Sequence, residues 1–163
     1  MGSIEFIAKV VAMKWLLVWV LGWVILVGLG DSAIALPGSS VDLSTQPLIE
    51  VSVSLGNTAE ELKFVPDLFE FQTGKRYKLS LTNPSPQKHY FTAKDFADAI
   101  WTQKVEAGNV EVKGAIHELE LKPGAKADWI FVPIKPGDYE LHCTIAGHTE
   151  AGMKGTIAIP APR

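Results

Sequence analysis

The sequence predicts an all-β sandwich of seven or eight short strands, and three observations predict it. Apolar residues recur at every second position in one run after another, as a half-buried strand requires. Turn-forming pairs punctuate those runs. The 47% apolar content of the 163 residues is also unevenly spread. Residues 1–35 hold 25 apolar residues and residues 36–163 hold 52, so the second segment is about 41% apolar (52 of 128), enough for one core but not two.

Taken in order, Ile49, Val51, Val53 and Leu55 alternate with polar neighbours, and Tyr77, Leu79 and Leu81 do the same. Ala127, Trp129 and Phe131 follow, then Tyr139, Leu141 and Cys143, then Ile157 and Ile159. Thr73-Gly74, Asn83-Pro84, Pro123-Gly124 and Pro136-Gly137 fall between the runs as turns. Two places depart from strand grammar. Lys94–Val105 offers Asp95 as a helix N-cap with Phe96 and Ile100 four apart, which predicts a short helical insertion. Between Val110 and Leu121 the apolar parity switches, so a bulge or break is expected near His117.

The organisation ahead of the sandwich is read from composition. Trp15–Gly30 carries no charge, Lys9 and Lys14 precede it, and Ser32-Ala33-Ile34-Ala35 offers a cleavage site before Leu36. These are the parts of an export signal over residues 1–35. A start at Met13 would make that signal more compact. Alternatively the segment is an uncleaved anchor, since Phe6–Gly30 can span a bilayer if its lysines snorkel to the interface. Residues 36–47 read as a linker and residues 48–163 as the folded domain, exported in either case.

Several function classes are excluded. One cysteine makes no internal disulfide, and no second long uncharged run exists for a polytopic membrane protein. The chain carries 15 basic and 18 acidic residues without a basic block, so nucleic acid is not an expected partner. The membrane is met only through the N-terminal segment if that is retained, and the domain is expected to be a monomer.

The chemistry concentrates in Tyr139–Ile159. Cys143, His148 and Met153 stand five residues apart each time on a strand–loop–strand segment. A thiolate, an imidazole and a thioether from one loop form a soft donor set suited to copper. A second imidazole supplied from elsewhere in the fold would let the scaffold hold the geometry, and His89, after the proline-rich turn at Asn83–Pro86, is the natural candidate. Beyond residue 35 there is one cysteine and one methionine, both in this loop. A buried Cys or Met is ordinarily core filler, but their joint placement around a histidine in a glycine-containing loop argues for ligands. Alternation turns Glu140 and His142 away from the face of Cys143, so His142 is expected to face solvent rather than metal. His117, beside Glu118 and Glu120, is expected to be an exposed, idle strand residue.

This loop resembles that of the cupredoxins, the blue copper proteins. The likeness extends over nearly all of the mature chain: Phe64-Val65-Pro66 with Phe71 and Gly74, Tyr77–Asn83, His89, Leu119–Gly124, Pro136-Gly137-Asp138-Tyr139 and the terminal loop. It implies a Greek-key β-sandwich. It also implies one copper ion held equatorially by His89, Cys143 and His148, with Met153 as weak axial ligand. The four-residue gap between Cys143 and His148 is similar to azurin, auracyanin and rusticyanin, and longer than in plastocyanin. Azurins and plastocyanins commonly follow the upstream histidine with an asparagine that ties the ligand loops together; here Tyr90 stands there. In that respect the chain is more like exported cupredoxins, some of them linked to copper tolerance.

The resemblance implies a one-electron carrier cycling between Cu(I) and Cu(II), in a periplasm or thylakoid lumen, with redox partner proteins. The rival expectation is a copper buffer or tolerance factor without such a partner. No enzyme activity is expected. Oxidases and nitrite reductases of this fold need further histidine clusters, which four histidines without an H-x-H pair do not supply, and a binuclear copper-A site needs two cysteines.

Overall fold

A computed structural model describes residues 42–162. The reading of residues 1–35 as a signal or anchor, and most of the 36–47 linker, lie outside the described residues. The linker's described end holds one 3-10 turn, Leu43–Thr45, whose Ser44 amide donates to the Asp42 side chain at 2.9 Å. No helix among the described residues is long and apolar enough to cross a membrane.

Eleven strands follow: β1 (Ile49–Leu55), β2 (Phe64–Val65), β3 (Leu68–Glu70), β4 (Tyr77–Thr82), β5 (His89–Thr92), β6 (Ile100–Ala107), β7 (Val110–Val112), β8 (Glu118–Leu121), β9 (Lys126–Pro133), β10 (Gly137–His142) and β11 (Lys154–Ile159). They form two sheets, ordered β2-β1-β4-β9-β6-β7 and β3-β11-β10-β5-β8. β1 runs parallel to β4 and β3 parallel to β11, while the other pairings are antiparallel. The sandwich is thus as expected. The strand total exceeds the seven or eight predicted because β2, β3 and β7 have only two or three residues, too short to show a period in sequence.

Alternation places the core. In β4, Tyr77, Leu79 and Leu81 are buried while Lys78, Ser80 and Thr82 are not. Facing rows from β1, β9, β10 and β11 add Val53, Leu55, Trp129, Phe131, Leu141, Ile157 and Ile159. Phe96 stands edge-on to Trp129, Phe131 and Tyr139 at 5.3–6.1 Å between centroids, the arrangement aromatic quadrupoles favour.

Phe96 comes from the one α-helix among the described residues, α1 (Lys94–Ala97). The predicted helix over Lys94–Val105 is therefore cut short, and Ile100–Val105 belong to β6. Ala93, not Asp95, occupies the N-cap position, with no side-chain cap. Ladder hydrogen bonds to β9 outcompete a second helical turn, and Val105 is buried against Trp129's strand. The parity switch near His117 is a full break, since β7 ends at Val112 and β8 starts at Glu118.

Gly155 shows how closely the short β3 segment docks. A Cβ there would sit well inside contact distance of the Asp67 carbonyl oxygen, the same oxygen that accepts from the Thr156 amide at 2.8 Å.

Candidate metal centre

The site lies at one end of the sandwich, where β5 begins and β10 ends. Asn83 prepares the first arm. It is buried, its amide nitrogen donates to the carbonyls of Gln87 and Leu121 at 2.8 Å each, and its side-chain oxygen accepts from the Ser85 amide at 3.0 Å. This polar knot shapes the Pro84–Lys88 turn and delivers His89 at the start of β5. Gly56, in the loop after β1, makes room for the ring. Its φ is +71°, and a Cβ there would fall 3.0 Å from His89 Nε2.

The second arm is the loop between β10 and β11. The Cys143 amide donates to the Met153 carbonyl at 3.1 Å, closing the loop at its base. Inside, the His148 amide donates to Ile145 O at 3.0 Å, the Met153 amide to His148 O at 2.9 Å, and the Thr149 hydroxyl to Cys143 O at 2.9 Å. Gly147 and Gly152, at φ +84° and +110°, supply the left-handed corners that such a tight turn needs.

His89, Cys143 and His148 come together with their donor atoms all within 4.8 Å of one another. Cys143 Sγ is 3.5 Å from His148 Nδ1, and the two imidazole centroids are 5.3 Å apart. Cys143 and Met153 are fully buried, His89 is 1% exposed and His148 is 9% exposed. The Tyr90 amide donates to Cys143 Sγ at 3.4 Å. Burial, aided by the charge of His148, holds the His89 pKa below its ordinary value of 6.5, which keeps the ring neutral and its lone pair available.

The residues fit a copper ion. Both ring nitrogens of His89 are buried without a hydrogen-bond partner in the protein, a state that buried polar atoms rarely occupy unless something else engages them. One thiol, two imidazoles and a thioether are the soft, mixed donors that copper selects.

The remaining histidines stand apart from the site. His142 lies on the outer face, partly exposed, with Nδ1 3.1 Å from Glu140 Oε1, so the alternation argument placed it correctly. His117 is exposed as expected, but it precedes β8 rather than lying on a strand, and it is paired with Asp98 at 2.8 Å rather than idle. Tyr90, in place of the asparagine, also faces outward and donates its hydroxyl to Glu120. Sequence reasoning missed Asn83, Gly56 and Thr149 as supports of the site. Asn83-Pro84 was visible only as a turn signal, and the other two depend on tertiary proximity.

A β-sandwich carrying these four donors at one end is a cupredoxin. The sequence profile of copper binding proteins of the plastocyanin/azurin family matches residues 51–160, and the chain belongs to that family. His89, Cys143, His148 and Met153 form its type 1 copper site, for one ion. Among solved structures, it is similar to dithionite-reduced auracyanin from the photosynthetic bacterium Roseiflexus castenholzii (22% identity, TM-score 0.50, 69% of this chain and 97% of that one). Auracyanin B is 24% identical over 72% of this chain and 91% of that one, with a TM-score of 0.48. A copper-containing nitrite reductase from Thermus scotoductus aligns at 17% identity and TM-score 0.51. It covers 71% of this chain, which spans only 32% of that enzyme. No curated protein sequence matches.

Proposed function

We propose that the protein is an exported one-electron carrier. When bound, the copper supplies the Cu(I)/Cu(II) couple; the chain's own residues hold it, shield it and expose one edge. The observation that carries this reading is that the donor atoms of His89, Cys143 and His148 already converge within 4.8 Å in the protein alone. Donors fixed by β5, by β10 and by a loop closed on itself have little freedom to rearrange between oxidation states, which favours fast electron exchange.

The surroundings support the same reading. His148, 9% exposed, is the ligand nearest the surface, so its ring edge is the shortest route to a partner protein. Three surface hollows, bounded in turn by Trp101 and Lys113, by Glu106 and Lys126, and by Gln72 and Pro160, include none of the four ligands. The proposal includes no enzyme activity. In this reading His89, Cys143, His148 and Met153 would hold the copper. The protein acts as a monomer, meets redox partner proteins outside the cytoplasm and touches a membrane only through its first residues if they are retained.

Deleting the gene tests the carrier role. Reduced respiratory or photosynthetic electron flux is expected. Normal flux with heightened copper sensitivity would overturn the carrier in favour of a copper buffer.

A further inference from the structure

We infer that Glu118 is the positioning residue that sets the Cys143 sulfur against β5. One oxygen of its carboxylate, Oε2, accepts the Thr92 hydroxyl at 2.8 Å and the Thr144 hydroxyl at 2.8 Å. Thr92 lies three residues after His89 on β5, and Thr144 directly follows Cys143. The bridge therefore spans the two arms that carry ligands.

The need for it is visible in the ladders. β10 and β11 share six paired positions and β5 and β8 share four, but β5 and β10 share one, His142 with Thr92. The seam between the histidine arm and the cysteine arm is thus the least paired junction of its sheet. The Tyr90 amide donates to Cys143 Sγ across that same seam at 3.4 Å. That contact crosses a junction with one paired position, so opening the seam would lengthen it and weaken it. Hydroxyl-to-carboxylate bonds are charge-assisted and correspondingly strong. Among the described residues Glu118 forms no ion pair, so no cation competes with the two threonines for its charge. Glu120, two residues further along β8, differs in kind: it engages Tyr90 and Lys88 and touches neither residue adjoining Cys143.

A donor to the ligand sulfur draws electron density from it, so the Tyr90 contact tunes the metal through the thiolate. Glu118 would act on the copper through that contact and without ligating. The inference rests on the copper centre described above and is independent of the carrier role.

The test uses the full-chain protein with Glu118→Ala, Glu118→Gln and Thr144→Val. In the metal-free protein, Tyr90 amide exchange is expected to quicken about tenfold in Glu118→Ala, as when one hydrogen bond is lost, and to stay unchanged in Glu118→Gln, whose amide oxygen still accepts both hydroxyls. Thr144→Val keeps the shape, removes one arm of the bridge and should move exchange in the same direction; it carries the test if Glu118→Ala does not fold. In the copper-loaded protein, the sulfur-to-copper charge-transfer band should shift in Glu118→Ala and return in Glu118→Gln. Unchanged exchange and an unchanged band in both disrupting variants would overturn the inference, as would failure of Glu118→Gln to restore them. A band missing from the unsubstituted protein would instead refute the copper centre, while the exchange measurement would still decide the bridge.

Discussion

The Cys143 amide donates to the Met153 carbonyl at 3.1 Å, so the first and last ligands of the terminal loop are backbone neighbours. A ten-residue excursion returns to where it began, and His148 is carried at its middle. The loop is thereby a closed unit rather than a flexible strap. The Thr149 hydroxyl on the Cys143 carbonyl fastens it from inside.

Met153 is fully buried, so its two roles can be separated by substitution. Met153→Leu conserves volume and should change the stability of the metal-free protein by less than about 1.5 kcal/mol, while altering the copper spectrum through loss of the thioether. Met153→Ala should cost about 2–5 kcal/mol by leaving a cavity. Denaturant unfolding of the metal-free variants measures both.

Gly56→Ala should disturb the metal before it disturbs the fold. The added methyl would press on His89 Nε2 at 3.0 Å and on Ser85, and it would occupy a left-handed φ of +71°. A stability loss of roughly 1–2 kcal/mol is expected from the backbone strain, with a larger proportional fall in copper affinity. Competitive copper titration against a chelator checks the second part.

Gly155→Ala should act in the opposite order. Its Cβ would collide with the Asp67 carbonyl, a backbone atom that cannot swing aside, and would push β3 from β11. A cost of about 1–3 kcal/mol is expected from overpacking. The copper band of the fraction that folds should be unchanged. Denaturation midpoint and visible spectrum, taken together, test this.

Acidification should destabilise the metal-free protein through His89. Burial, and then the charge of His148, hold its folded-state pKa below the ordinary 6.5. In the unfolded chain the ring takes up a proton near the ordinary value, whereas the folded protein resists until lower pH. The unfolded state thus binds more protons in that window, so stability falls as pH drops below 6.5 and levels off beneath the folded-state pKa. His89→Gln should remove this component, and denaturation midpoints on either side of that pH measure it. An identical pH slope in the variant would contradict it.

The ligands were legible because the chemistry is local. Three donors sit in one loop, and the fourth follows a proline-rich turn. Long alternating strands such as β4 and β9 were legible for the same reason: a period needs only its own residues. What escaped the sequence depends on distant pairing. β2 and β3 are strands only because β1 and β11 accept them, and Ile100–Val105 read as helix until the ladder with β9 claimed it. Glu118 read as a surface neighbour of His117, since nothing in the chain announces that Thr92 and Thr144, each 26 residues away, converge on it. His117 likewise gave no hint of Asp98, 19 residues before it.

The central claim is the copper centre of His89, Cys143, His148 and Met153, and the visible spectrum tests it most directly. Cupric ion added to the purified protein should produce an intense sulfur-to-copper charge-transfer band at one ion per chain, absent in Cys143→Ser. A colourless protein, or colour that survives Cys143→Ser, would contradict the account.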